Sequence, residues 1–194
     1  MPRGPSASMS RFLSAVRSIA FFGAVLFVFS AGFPPFDDVA EVDLTLHMLQ
    51  HVLIILAGVM VSYPLLGRNT LEHERILYLP KAGLVACALL LVFWHLPGSW
   101  DAAVINPTIH VAEHLSFLSV GILAGSWLLR LSDSTKIGAL LAGFFGHMGY
   151  AVVLISPWSS QVYALYPLSD QVILGWVLLL TGPTLVIGIA YVIA

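Results

Sequence analysis

Apolar runs about as long as a bilayer is thick recur six times in this chain, and turn residues separate them. They occupy Ser18–Phe33, Leu44–Leu66, Pro80–Leu96, Thr108–Leu131, Ile137–Ser156 and Gln171–Ile193. A helix of roughly 20 apolar residues crosses the hydrocarbon core. Lipid offers backbone groups no hydrogen bonds, so such runs must form helices that satisfy themselves. The first and third runs are short and span only with little tilt or by extending into their flanks. Phe33-Pro34-Pro35-Phe36, Leu96-Pro97-Gly98, Asn106-Pro107, Ser156-Pro157 and Tyr166-Pro167 fall where helices should stop or start. The expectation is an all-α, polytopic bundle of six transmembrane helices, with residues 1–194 as a single transmembrane domain.

Composition agrees and closes off other classes. Hydrophobic residues make up 59% of the chain and charged residues 9%, with a mean hydropathy of +0.94. A soluble domain carries far more charge. The net charge of −2 and the lack of any basic run leave no basis for nucleic-acid binding. The single cysteine, Cys87, forms no intramolecular disulfide and reads as a small buried apolar residue.

Charge sets the orientation. Arg3, Arg11 and Arg17 precede the first run, Arg68, Arg75 and Lys81 lie between the second and third, and Arg130 and Lys136 lie between the fourth and fifth. The opposite connections hold Asp37, Asp38, Glu41, Asp43, Asp101 and Asp170 with no Lys or Arg. The positive-inside rule then places both termini in the cytoplasm, in a multi-pass plasma-membrane protein. Trp100, Trp158, Tyr163 and Tyr166 are expected as anchors at the extracytoplasmic edge, with Tyr63, Tyr78 and Trp127 at the inner one. Arg11 and Arg17 before an apolar run ending in Ser30-Ala31-Gly32 also fit a signal peptide, but the leader is long for one, and a retained first helix is expected.

Six of the seven histidines fall in apolar runs: His47, His51, His95, His110, His114 and His147, with the acid Glu113 beside them. Ionisable side chains are costly in hydrocarbon and mark function by default. With a rise of about 1.5 Å per residue, His47 and His51 lie about 5 and 10 Å below the outer edge, and His110 and His114 about 3 and 9 Å. His95 closes its helix near the same surface, and His147 lies about 15 Å down. His47-Met48-Leu49-Gln50-His51 and His110-Val111-Ala112-Glu113-His114 are both His-x-x-x-His, which puts each pair on one helical face. The pairs are 63 positions apart, although similarity beyond the histidines is too slight to establish a repeat. Interhelical hydrogen bonding explains one lone histidine well, but six imidazoles need more polar partners than apolar neighbours provide.

Six outward imidazoles suit a metal ion such as copper, zinc, iron or nickel. Glu113, three residues from His110, either orients an imidazole or enters the site as ligand or proton carrier. Asp170 and Gln171 are candidates for the same task, and Met48 and Met148 are weaker candidate ligands. The alternative is haem b with His51 and His114 as axial ligands, in a subunit passing electrons to a quinone or redox partner. Metal transport is a third possibility, weakened by the lack of a polar path through the inner half. His73, in Leu71-Glu72-His73-Glu74-Arg75, reads as a solvated residue.

The elements His47-Met48-Leu49-Gln50-His51, Trp94-His95-Leu96-Pro97 and His110-Val111-Ala112-Glu113-His114-Leu115-Ser116-Phe117 resemble, in this order, those of the CtaG family of caa3-type cytochrome c oxidase assembly factors. The resemblance covers roughly Leu46 to Leu128, with a weaker extension to Gly146-His147-Met148. It implies an assembly factor rather than a turnover enzyme, one that handles copper for a haem-copper oxidase subunit of the respiratory chain. Members of that family are usually longer, commonly by one helix, so a shorter branch is expected.

Overall fold

The computed structural model describes residues 7–66, 80–128, 131–156 and 161–193. These form eight helices: α1 (Ala7–Gly32), α2 (Pro34–Val42), α3 (Leu44–Leu66), α4 (Pro80–His95), α5 (Pro97–Ile105), α6 (Pro107–Leu128), α7 (Asp133–Ile155) and α8 (Leu168–Ile193). Arg3, Arg68, His73, Arg75, Tyr78, Arg130 and Trp158 lie outside the described residues.

Six of the eight helices match the six apolar runs, with ends that differ by at most four residues except at α1, which begins at Ala7, eleven residues before Ser18. Hydropathy marks where apolar residues begin, whereas a helix begins at its cap. The Ser132 hydroxyl accepts from the Thr135 N–H, so α7 starts four residues before Ile137. The two extra helices, α2 and α5, occupy connections expected to be loops. Each opens on proline, which needs no hydrogen bond at a first helical position.

Among the described residues, four windows are long and apolar enough to cross a membrane: Ser14–Gly32, Leu44–Ser62, Pro107–Ser126 and Asp133–Ile155. Gly83–His95 and Pro97–Ile105 pass jointly as a fifth, bent by 70° at Leu96. Large apolar side chains on the long helices face outward, among them Phe22, Val52, Leu89, Val111, Phe145 and Leu180. Such an outer surface is suited to lipid rather than water.

A repeat that is faint in the sequence is plain in the backbone. Both α2 and α5 have 9 residues. Phe33 and Leu96, 63 positions apart, hold extended conformations before them, and Asp43 and Asn106 end them at φ/ψ of −127°/111° and −127°/108°. The units α1-α2-α3 and α4-α5-α6 thus follow one plan, long helix, short helix, long helix, and α3 packs on α6 at the centre.

The central contact is reciprocal. A Cβ on Gly58 would strike the Leu118 carbonyl oxygen, and one on Gly121 would strike that of Ile55. Gly58 and Gly121 are equivalent positions, as are Ile55 and Leu118. The same Cβ atoms would lie 2.9 and 3.0 Å from the opposite glycine's Cα. Self-complementary contact of this kind is the signature of a two-fold relation, here internal to one chain. The helices meet closely because small residues let backbones approach.

The third unit, α7 with α8, packs against α3 through α8. The turn before α8 carries Tyr163 and Tyr166, and Gln171 holds it. Gln171 Oε1 accepts from the Val162 and Tyr163 N–H groups at 2.8 and 3.1 Å, while Nε2 donates to the Tyr163 and Tyr166 carbonyls, both at 2.9 Å.

Candidate metal centre

The caps of α3 and α6 place the histidines. Asp43 Oδ1 accepts from the Leu46 N–H at 3.0 Å, and Asn106 Oδ1 accepts from those of Thr108 and Ile109 at 3.0 and 3.3 Å. Each cap lies four residues before the first histidine, whose own N–H closes the first turn: His47 to Asp43 O and His110 to Asn106 O, both at 2.9 Å. Both pairs therefore occupy the first turns of parallel helices, at one end of the bundle.

Across the α3–α6 contact, equivalent histidines face each other. The His47–His110 and His51–His114 ring centroids are both 5.7 Å apart. Along the helices the separations are 4.6 Å for His47–His51 and 4.2 Å for His110–His114. His110 Nε2 and His114 Nε2 approach to 2.9 Å. Glu113 reaches in from α6, its Oε2 lying 3.9 Å from His47 Nε2 and 3.7 Å from His51 Nε2. Two donor sets result, His47-His51-Glu113 and His47-His110-His114, each with its donor atoms within 4.8 Å of one another.

Burial makes this set costly without an occupant. Glu113 is 0% exposed, and His47, His51, His114 and His110 are at most 7% exposed. Neither Glu113 oxygen has a hydrogen-bond partner, nor does either ring nitrogen of His51, nor His47 Nε2. Buried polar atoms are ordinarily paired, and leaving one unpaired costs about 1–3 kcal/mol. A cation between Nε2 of His47, Nε2 of His51 and the Glu113 carboxylate would satisfy all three.

Neighbouring groups orient the imidazoles. A 2.8 Å hydrogen bond joins His47 Nδ1 to the Tyr166 hydroxyl, which leaves Nε2 to face Glu113. Trp100 lies against His47 at 4.7 Å, and Phe117 stacks on His51 at 4.1 Å. His110 faces acids on α2, with Nδ1 3.4 Å from Glu41 Oε1 and Nε2 3.7 Å from Asp37 Oδ1. Gln50 ties Asp37 in place, its Nε2 donating to Asp37 Oδ1 at 2.6 Å and to the Ser30 carbonyl at 2.7 Å. Burial pushes the Tyr163 phenol up to about 12 and raises that of Tyr166 too, so both keep their protons across the neutral range.

The six sequence-selected histidines do not all converge. His47, His51, His110 and His114 form the cluster with Glu113. His95 lies beside it, 6.0 Å from the Trp100 ring and 6.3 Å from Phe117, and its Nδ1–H donates to the Leu91 carbonyl at 2.6 Å. His147 stands apart, with Nε2 directed at the Leu178 carbonyl at 3.0 Å and the Thr181 hydroxyl at 3.3 Å on α8. Among the described residues it shares no ring contact with the other histidines. Met48 packs against the buried cluster that contains Leu44, Trp100 and Tyr163, and Met148 packs against Gly182. Asp170 accepts from the Ser169 hydroxyl, and Gln171 is spent on the turn it holds. Cys87 is buried, in line with its reading as an apolar residue.

One expectation is corrected. Trp100, Tyr163 and Tyr166 are not anchors at a lipid edge, being at most 1% exposed and packed with Leu44, Leu154 and Leu174. Tyr163 donates to the His95 carbonyl at 2.9 Å and bonds Tyr150 through their hydroxyls. A proline beside an aromatic marks a helix boundary, but it does not tell whether the ring turns outward or folds over the bundle. Sequence reasoning also missed Asp37, Glu41 and Gln50 as neighbours of the cluster. The i, i+4 spacing of Asp37 and Glu41 was the available signal.

No curated protein and no solved structure matches the chain. A family profile does match, over residues 21–193, which takes in the C-terminal part of α1 and every later helix. The chain, with its two-fold frame and buried histidine cluster, therefore belongs to the family described as Protein of unknown function (DUF1404).

Proposed function

We propose that the protein is a membrane metal-binding protein whose histidine cluster receives a transition-metal ion at the extracytoplasmic side, copper above all, for delivery to a haem-copper respiratory oxidase. The spans would be α1, α3, α4 with α5, α6, α7 and α8, with both termini cytoplasmic, as the basic residues favour. The observation that carries the proposal is the pair of buried three-donor sets that share His47, several of whose atoms have no hydrogen-bond partner. Imidazole with one carboxylate suits Cu(II), Zn(II) and their neighbours, whereas thioether ligands would select Cu(I). The role in oxidase assembly rests on the resemblance of three short elements to the CtaG family. In that role copper is cargo, and the Glu113 carboxylate is the group suited to release it when protonated.

The haem b alternative uses His51 and His114 as axial ligands and leaves His47, His110 and Glu113 without a task. The two overlapping donor sets favour a compact metal centre over a macrocycle. The deciding measurement is metal and haem content of purified full-length protein beside a His51→Ala, His114→Ala double variant. The wild type should carry metal without a haem band, and the variant should insert normally yet lose most of that metal. Equal metal content in the two would remove this centre, and a redox-sensitive haem band would replace it.

A further inference from the structure

The two-fold frame gives the cluster two equivalent approaches, and the chain treats them differently. A cavity of about 160 Å³ reaches His110 and His114 past Asp37, Glu41 and Val104. Shifted by 63 positions, the equivalent of Asp37 is Trp100 and that of Glu41 is Val104, while His110 and His114 become His47 and His51. On that second side Trp100 lies 4.7 Å from His47 and 5.4 Å from His51. Tyr166 is bonded to His47, and Leu44, Met48 and Tyr163 complete the packing. One approach is thus plugged by aromatic rings, and the other is acidic and hollow.

Asp37, Glu41 and His110 form a third group whose donor atoms lie within 4.8 Å of one another. Both carboxylates are partly exposed, with side chains 28% and 42% accessible, whereas His110 is buried. His110 also belongs to the inner set with His47 and His114. A ligand common to both sets lets an ion pass inward by exchanging carboxylates for imidazoles, without shedding all its ligands at once. Behind them waits Glu113, fully buried, with neither oxygen hydrogen-bonded.

We propose that Asp37, Glu41 and His110 constitute a second cation station, the entry through which a divalent transition-metal ion reaches the histidine cluster, with Trp100 closing the symmetry-equivalent route. This rests on the metal-binding reading above. Carboxylates at a low-dielectric mouth concentrate cations and steer their arrival. The substitutions that test it, Asp37→Asn with Glu41→Gln, remove charge, while the new amide on α2 keeps a carbonyl acceptor for Gln50.

Co2+ is added to detergent-solubilised full-length protein, and its visible absorption is followed in time at low and high salt. The double variant should load roughly ten-fold more slowly at low salt and reach the wild-type end point, with the difference shrinking as salt screens the mouth. Loading at the wild-type rate would overturn the entry station and leave the histidine centre standing. Absence of any Co2+ signal in the wild type would overturn both. A His47→Ala variant, which removes the ligand common to both inner sets but retains Asp37, Glu41 and His110, should keep only weak, salt-sensitive binding. Complete indifference of that weak binding to Asp37→Asn would likewise overturn the station.

Discussion

Residues 34–66 and 97–128 share a backbone plan and divide the work unequally. Where the halves match, at His47/His110, His51/His114 and Gly58/Gly121, they build the paired helices and four of the five donors. Where they differ, they make the site specific. Gln50 on one side ties down Asp37, and its equivalent Glu113 on the other supplies the buried carboxylate. Asp37 leaves one approach open, and its equivalent Trp100 fills the other. The shared plan sets the four histidines face to face, and the differences at a few positions give the cluster its buried carboxylate and its one open side.

The sharpest way to break this comparison is at the central contact. Gly58→Leu and Gly121→Leu should each prevent native packing of α3 on α6, because the added side chains meet backbone that cannot yield. Loss of monodisperse folded protein, read by gel filtration and thermal unfolding in detergent, is expected for both. A strong effect at only one glycine would show that the contact is not shared equally.

Next in size is the exchange of the unlike pair. Glu113→Gln should weaken metal binding by about 10–100-fold, the usual cost of removing a carboxylate that supports imidazole ligands. Gln50→Ala should leave metal affinity within a few-fold and instead lower thermal stability, by about 1–3 kcal/mol for the hydrogen bonds lost. Titration calorimetry and thermal unfolding separate the two outcomes, and equal losses of metal affinity would contradict the division of labour.

The smallest effect lies at the plugged approach. Tyr166→Phe removes one hydrogen bond from His47 and should cost about 1 kcal/mol, or roughly five-fold in metal affinity. An unchanged binding isotherm would mean that packing alone orients His47.

Much of the frame was legible beforehand. The six apolar runs became α1, α3, α4, α6, α7 and α8, because hydrocarbon-length runs bounded by proline leave the backbone few alternatives. The short helices α2 and α5 were not legible, since nine-residue helices carry little hydropathy signal and draw stability from packing residues such as Ala40 and Trp100 inward. The repeat was hidden for a similar reason, as backbone plan survives where side chains have diverged.

The residue order alone determined that imidazoles at four-residue spacing would share a helical face, since periodicity is a local property of the helix. Which faces meet is not local. Only the packing of α3 on α6 brought His47, His51, His110 and His114 together with Glu113, while the end of α4 leaves His95 at the margin and the packing of α7 on α8 turns His147 away. Helix rotation and neighbour choice depend on contacts between residues far apart in the chain, such as Gly58 with Gly121, and depth in a membrane constrains neither.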